Sequence, residues 1–393
     1  MCAARSGRSA GRRPSPELAE VLDERLAADG TLRALAPQPA PRRNQPVATQ
    51  DDSVVDEIAA LELVRLAEAS EVGNGTVERL ELAVDELAIA YPGTPPADLL
   101  HRVRGYLRYV GRLLDARTTL AEHRRLLVVC GWLSLLAATT LIDLRRDHAA
   151  AAHPRTARRL ARETGHAEIA AWCLETQAWQ VLTARDYRRA ADISQAAQRI
   201  VPKSGSAFIQ ATAQEGRAWA RLGDARETRA ALGRVEALVS PLPVPDQPEH
   251  HYRYDPAKSE AYTATTLAWL GDPAAEGYAR HVLIRLESAT DGPPRPRRAA
   301  TARLDLSLAL IAAGRHDEAA GTALEAIAWG RIVPSSYWRA REVIHAVTER
   351  GVPEAAELAE AYREACGHDG RPALPDDRAE SSPRKSGTCW PTL

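Results

Sequence analysis

The chain is predicted to be all-α: a right-handed superhelix of antiparallel helix pairs, an α-solenoid. Three observations predict this. Ala, Leu and Arg dominate the composition, and all three favour helix; there is one Phe and one Met. Ala167–Pro202, AEIAAWCLETQAWQVLTARDYRRAADISQAAQRIVP, reads as two short amphipathic helices joined by a tight Arg185-Asp186-Tyr187 turn and closed by a proline. The same plan returns at Gly223-Asp224, Gly271-Asp272 and Gly314-Arg315. A helix–turn–helix unit repeating every forty or so residues is how an α-solenoid reads in sequence.

The 393 residues are enough for one long solenoid or for two to three domains. A net charge of −1 argues against electrostatic binding of nucleic acid by the whole molecule. Lysine occurs only at 203, 258 and 385, so nearly all positive charge is arginine. The five cysteines are odd in number, far apart and without a CxxC pair. They argue against a disulfide framework or zinc site and suit a reducing cytoplasm, the expected location. The basic N-terminus lacks the apolar core of a secretory signal. Leu126–Ile142, LLVVCGWLSLLAATTLI, is uncharged and of marginal spanning length, but a helix buried on all sides of a solenoid gives the same pattern; no membrane partner is expected.

In order, residues 1–13 read as a disordered basic arm. Pro16 opens a helix, PELAEVLDERLAA, with Leu18, Val21, Leu22 and Leu26 on one face and Gly30 as its stop. Pro37–Pro46 is too rich in proline for helix. Helix resumes over Asp51–Glu68. Gly73-Asn74-Gly75 reads as a turn and Thr76 as the N-cap of the next helix. Pro96–Asp115 and Thr119–Arg146 follow, with Pro154–Thr164 as partner of the latter. Small residues must sit where the helices of a hairpin touch. Ala178, Ala190 and Ala197 take those places, then Gly216, Thr228 and Val235, then Ser307, Ala319 and Ala326. Gly223, Gly271 and Gly314 supply the left-handed residue that ends a first helix. Ser240–Lys258 is a long internal loop, Ser336–Cys366 a last hairpin, and 367–393 a disordered tail.

These small-residue positions, Gly-Asp turns and the closing Pro202 resemble tetratricopeptide (TPR) repeats. RRPSPELAEVLDERLAADGTLRALA, GTVERLELAVDELAIAYP, WCLETQAWQVLTARDYRRAADISQAAQRI and EHHYRYDPAKSEAYTATTLAWLGDP together resemble bacterial helix-turn-helix regulators of the XRE type with a C-terminal TPR-like domain. The resemblance spans roughly residues 12–366. It implies a five-helix DNA-binding domain of which only the end, Arg12–Ala36, is expected here, without a recognition helix. It also implies sensing of a peptide or small signal and dimerisation. The expected organisation is an arm plus helix-turn-helix remnant (1–36), a Pro-rich linker (37–52), a TPR-like solenoid (53–366) and a tail (367–393). DNA is a partner only if a complete helix-turn-helix domain precedes this chain; Arg12 and Arg13 are candidate phosphate contacts.

In a TPR register the groove-facing positions are Trp172, Glu175 and Trp179, then Gln210 and Arg217, then Lys258 and Thr265, then Thr301, Leu304 and Leu308. Trp, Arg, Lys and Gln together suit a peptide, with the cations reaching carbonyls or a carboxylate. His250, His251 and Tyr252, in the longest loop, are candidates to cap the groove. Trp219 and Trp269 read as hairpin packing, and Arg295-Pro296-Arg297-Arg298 as solvated loop. No nucleophile elbow, P-loop, dinucleotide fingerprint or metal-ligand spacing occurs, so no enzyme, metal or cofactor is expected. The expected function is a transcriptional-regulator-type, ligand- or peptide-binding domain. The alternative is a stand-alone scaffold for protein partners with no DNA role.

Overall fold

The computed structural model describes residues 16–35, 56–62, 71–245, 248, 250–288, 295–328 and 332–367. Arg12, Arg13, the proline-rich linker and the tail beyond Gly367 lie outside them. The chain divides into two compact units, Met1–Asp52 and Ser53–Leu393. Among the described residues every regular element is helical.

In the first unit α1 is Pro16–Arg25 and α2 is Thr31–Leu35. Asp23 joins them: its carboxylate accepts from Leu32 N at 3.1 Å and Arg33 N at 3.2 Å, satisfying amides that open α2. The helix stops at Arg25, five residues before Gly30, because Ala27 and Asp29 already adopt left-handed backbone.

The second unit has a helical stretch at 56–62 and then α3 Asn74–Ala90, α4 Pro96–Leu114, α5 Leu120–Asp143 and α6 Asp147–Thr164. Next come α7 Ala167–Thr183, α8 Tyr187–Arg199, α9 Ser206–Arg221 and α10 Ala225–Val239. The remainder are α11 Pro256–Leu270, α12 Ala275–Ser288, α13 Pro296–Ala312, α14 His316–Ala328, α15 Tyr337–Glu349 and α16 Ala355–Gly367. From α5 onward the helices pack in sequence-adjacent pairs, and the first member of each pair also packs on the first member of the next. Two layers result. The inner layer, α5, α7, α9, α11, α13 and α15, is sandwiched between neighbours; α9 buries most of its residues, polar ones included. Outer helices such as α8 bury one stripe of alanines and keep charge outside.

The small residues lie where close approach requires them. Ala178, Ala190, Ala197, Thr228, Val235, Ser307, Ala319 and Ala326 are all buried. A Cβ on Gly216 would stand 3.1 Å from the Ala231 Cβ across the hairpin. Helix α5 is the one described helix long and apolar enough to cross a membrane, and 83% of its apolar window is buried inside the protein. A capping box opens it: Thr119 Oγ1 accepts from Glu122 N, and Glu122 accepts from Thr119 N.

Two helix starts in the second unit differ from the sequence reading. Helix α3 starts at Asn74 rather than after Thr76; Gly73 is its N-cap and Thr76 is fully buried. Helix α6 starts at Asp147 and runs through Pro154, preceded by four alanines that favour helix most strongly.

The turns at Gly223, Gly271, Gly314 and also Gly351 place glycine in left-handed backbone (φ 73°, 75°, 75° and 68°). Arg185 occupies the equivalent place with φ 66°, which costs a side-chain-bearing residue about 1–2 kcal/mol. Glycine there loses more chain entropy on folding, roughly 0.5–1 kcal/mol. Arg185→Gly is therefore expected to raise stability by up to about 1 kcal/mol, read from the denaturant midpoint; a loss would mean the Arg185 side chain has a compensating role.

Candidate functional site

Inner helices carry the polar residues that a solvent-facing helix would keep outside. Their buried polar faces converge on a cavity of about 120 Å3. One water needs roughly 10–15 Å3 on this scale, so the space suits a compact group. Its wall takes Thr139 from α5, Glu175 and Trp179 from α7, Gln210 and Arg217 from α9, Lys258, Tyr262 and Thr265 from α11, Arg297, Thr301 and Asp305 from α13, and Arg339 from α15. Tyr91, His251 and Arg298 also line it.

Seven of the ten groove and loop candidates therefore come together: Glu175, Trp179, Gln210, Arg217, His251, Lys258 and Thr265. Three do not line the cavity. Trp172 is 1% exposed and packs in the main apolar cluster. Its ring lies behind Lys258, whose Nζ is 5.4 Å from the indole centroid. Tyr252 is core as well, with its ring 4.7 Å from Trp132 and 5.3 Å from Trp172. His250 turns away to Asp85 of α3, Nε2 to Oδ1 3.2 Å. Burial and the Arg253 charge push its pKa down to about 4, against the pull of Asp85, so it is neutral at pH 7. In the fourth repeat Thr301 lines the cavity, Leu304 is core and Leu308 is half-buried among apolar neighbours.

The loop before α11 is fastened on both sides. His251 N donates to Ala88 O at 3.2 Å, Arg253 pairs with Asp85 at 2.8 Å, and Lys258 Nζ donates to His251 O at 2.8 Å. Asp255 caps α11 by accepting from Lys258 N at 2.9 Å.

A second tie closes the opposite wall. Asp143, at the end of α5, is 0% exposed. It receives both Arg297 NH groups, at 2.6 and 2.7 Å, the Ser335 hydroxyl at 2.8 Å and the Tyr91 hydroxyl at 2.8 Å. Burial pulls the Arg297 guanidinium down, but Asp143 outweighs it and the net shift is upward. Arg297 is thus a paired residue in the first turn of α13, not the solvated loop residue expected from the Arg-rich run. Asp143 closes an otherwise uncharged helix segment, and that isolated acid was the available signal.

Cation outweighs anion in the cavity wall. Arg217, Lys258, Arg297, Arg298 and Arg339 face Glu175 and Asp305. Arg297 is matched by Asp143 and Arg339 by Asp305 at 3.3 Å, while Thr265 Oγ1 also donates to Asp305. Burial pushes the Arg339 guanidinium down to about 10, against Asp305. Glu175 accepts from Gln210 Nε2 at 2.8 Å; burial raises its pKa although Gln210, Lys258 and Arg217 oppose. Arg217 is 5% exposed and lowered by burial. It stacks on Tyr262 (5.0 Å) and Trp269 (4.6 Å), and its NH1 donates to the neutral Gln214 at 2.9 Å. Among the described residues it forms no ion pair, and its Nε has no hydrogen-bond partner. Gln210, 2% exposed, gives both amide protons away, to Glu175 and to Tyr262 Oη (2.7 Å), which leaves Oε1 without a donor.

Trp269 has a place in the sequence that suits hairpin packing. It is buried, but Arg221 and Arg339 also stack on it, at 4.5 and 4.8 Å, and Trp338 lies 5.4 Å away. Among the described residues no group of three His, Cys, Asp or Glu is placed to hold a metal. No family model matches the chain, and no curated protein matches it.

Proposed function

We propose that this chain is a non-catalytic ligand-sensing module, a right-handed TPR-like array of the kind attached to transcriptional regulators, with its ligand in the inner-layer cavity. One observation carries this reading: two residues that line the cavity, Gln210 and Arg217, each bury a polar atom without a hydrogen-bond partner, Oε1 and Nε, beside Gln214 Nε2 and Trp269 Nε1, which lack one too. Leaving such groups unpaired costs about 1–3 kcal/mol each, a cost that a bound ligand removes. Both wall carboxylates are held by internal partners, Gln210 for Glu175, and Arg339 and Thr265 for Asp305. That arrangement supports binding rather than proton transfer. Signalling would follow from a shift in population between array conformations that bind ligand unequally.

The test is thermal denaturation in the dialysable fraction of a cytoplasmic extract. A ligand at a hundred times its Kd adds about 2.7 kcal/mol. The wild type is expected to melt several degrees higher, and Gln210→Ala is expected to lose that response while keeping its helical signal. No response in the wild type, or an equal response in Gln210→Ala, overturns the proposal.

A further inference from the structure

The cavity's charge and closure narrow the ligand class, given that the cavity is a binding site as proposed above. Arg217 is the decisive group. A guanidinium this buried is normally paired, because desolvating a charge is costly. Here its neighbours are Tyr262, Trp269 and neutral Gln214; Glu175 and Asp305 support its charge through space, but among the described residues neither forms an ion pair with it. Around Trp269 three guanidiniums gather, from Arg217, Arg221 and Arg339. Arg221 is matched by Glu342 through two bonds of 2.8 and 2.7 Å, and Arg339 by Asp305, so among the described residues Arg217 is the guanidinium of the three without a direct ion pair. Arg217 and Gln210 both line one small space, and Arg217 Nε and Gln210 Oε1 each lack a hydrogen-bond partner.

The walls also limit length. Tyr91 and Arg297 are both fixed to Asp143, and His251 is fixed to Ala88, so the groove is tied across by residues from both halves of the array. An extended peptide running along the inner helices would have to break these ties.

We infer that the cavity recognises a compact organic oxyanion, its carboxylate or phosphoryl group seated on Arg217 and a hydroxyl or amine hydrogen of the same molecule donated to Gln210 Oε1. Trp179 and Tyr262, on the same wall, offer flat surface to the remainder.

The test uses inorganic phosphate and acetate as head-group probes, titrated at constant ionic strength, with the Arg217 Nε–Hε resonance followed by 15N NMR. A saturable shift of that resonance with phosphate alone assigns a phosphoryl ligand, and with acetate alone a carboxylate. A shift with both assigns the shared oxyanion chemistry. Arg217→Met is expected to weaken the same binding roughly ten- to a hundredfold, and Arg217→Lys to restore part of it. The wild-type resonance keeps the test decisive if Arg217→Met folds poorly. No saturable shift with either anion overturns the inference, as does equal binding by a folded Arg217→Met. An extract that stabilises the protein while neither anion binds leaves the sensing proposal standing and removes only the oxyanion. Anion binding without an extract response does the reverse.

Discussion

Asp143→Ala is expected to destabilise the protein by about 3 kcal/mol or more. The carboxylate is fully buried and satisfies Arg297, Ser335 and Tyr91 at once. Its loss strands a guanidinium and two hydroxyls. Breaking a buried pair from one side costs roughly 3–5 kcal/mol, and Arg297 keeps 17% of its side chain in solvent, which favours the lower end. Chemical denaturation followed by circular dichroism measures it. The double variant Asp143→Leu with Arg297→Met is expected to recover much of the loss, because an apolar pair of similar volume removes both charges together. A single-variant loss below about 1 kcal/mol would show that water reaches Arg297 freely, and that the pair belongs with weak surface bridges. Added salt is expected to change the single-variant loss little, since screening acts mainly on exposed charge.

Trp172→Ala is expected to cost about 3–5 kcal/mol, the range for emptying a buried indole site. The ring is buried in the main apolar cluster and meets Tyr252 edge-on at 5.3 Å, so truncation opens a void beneath the loop that carries His251 and the first turn of α11 that carries Lys258. Ligand binding is expected to fall with stability, because Lys258 loses the surface its ammonium lies over. Trp179→Ala is the contrast. That ring is half-buried on the cavity wall, and its loss is expected to weaken binding with a smaller stability change. Equal destabilisation by the two variants would place Trp179 in the core.

The helical class was legible because composition, capping and turn chemistry agreed. Gly223, Gly271 and Gly314 are left-handed for the backbone reason that selects glycine, and Asp186 and Asp224 cap the helices that follow them, each accepting from the third amide on. A helical repeat also told which residues share the inner face, so Glu175, Gln210, Arg217, Lys258 and Thr265 were found together. What it could not tell is depth along that face. Trp172 and Trp179 lie two turns apart on one side of α7, yet one is under the loop and the other borders the space. Tyr91, Asp143 and Arg297 were missed because their pairings join segments far apart in the chain, and Asp305 and Arg339 because their pairing joins successive inner helices; a period read within one helix encodes neither.

The Asp143 tie bears on how the array comes apart. Stacked helical pairs that touch only their neighbours melt piecemeal, fraying from the ends with a separate free energy for each unit. Here a single carboxylate couples the fifth helix to the thirteenth and to the turn before the fifteenth. Releasing either partner removes a bond that the other half relies on, so amide exchange in α5 and α13 should share one opening event. A ligand that steadies Arg297's wall would then slow exchange in helices it never touches.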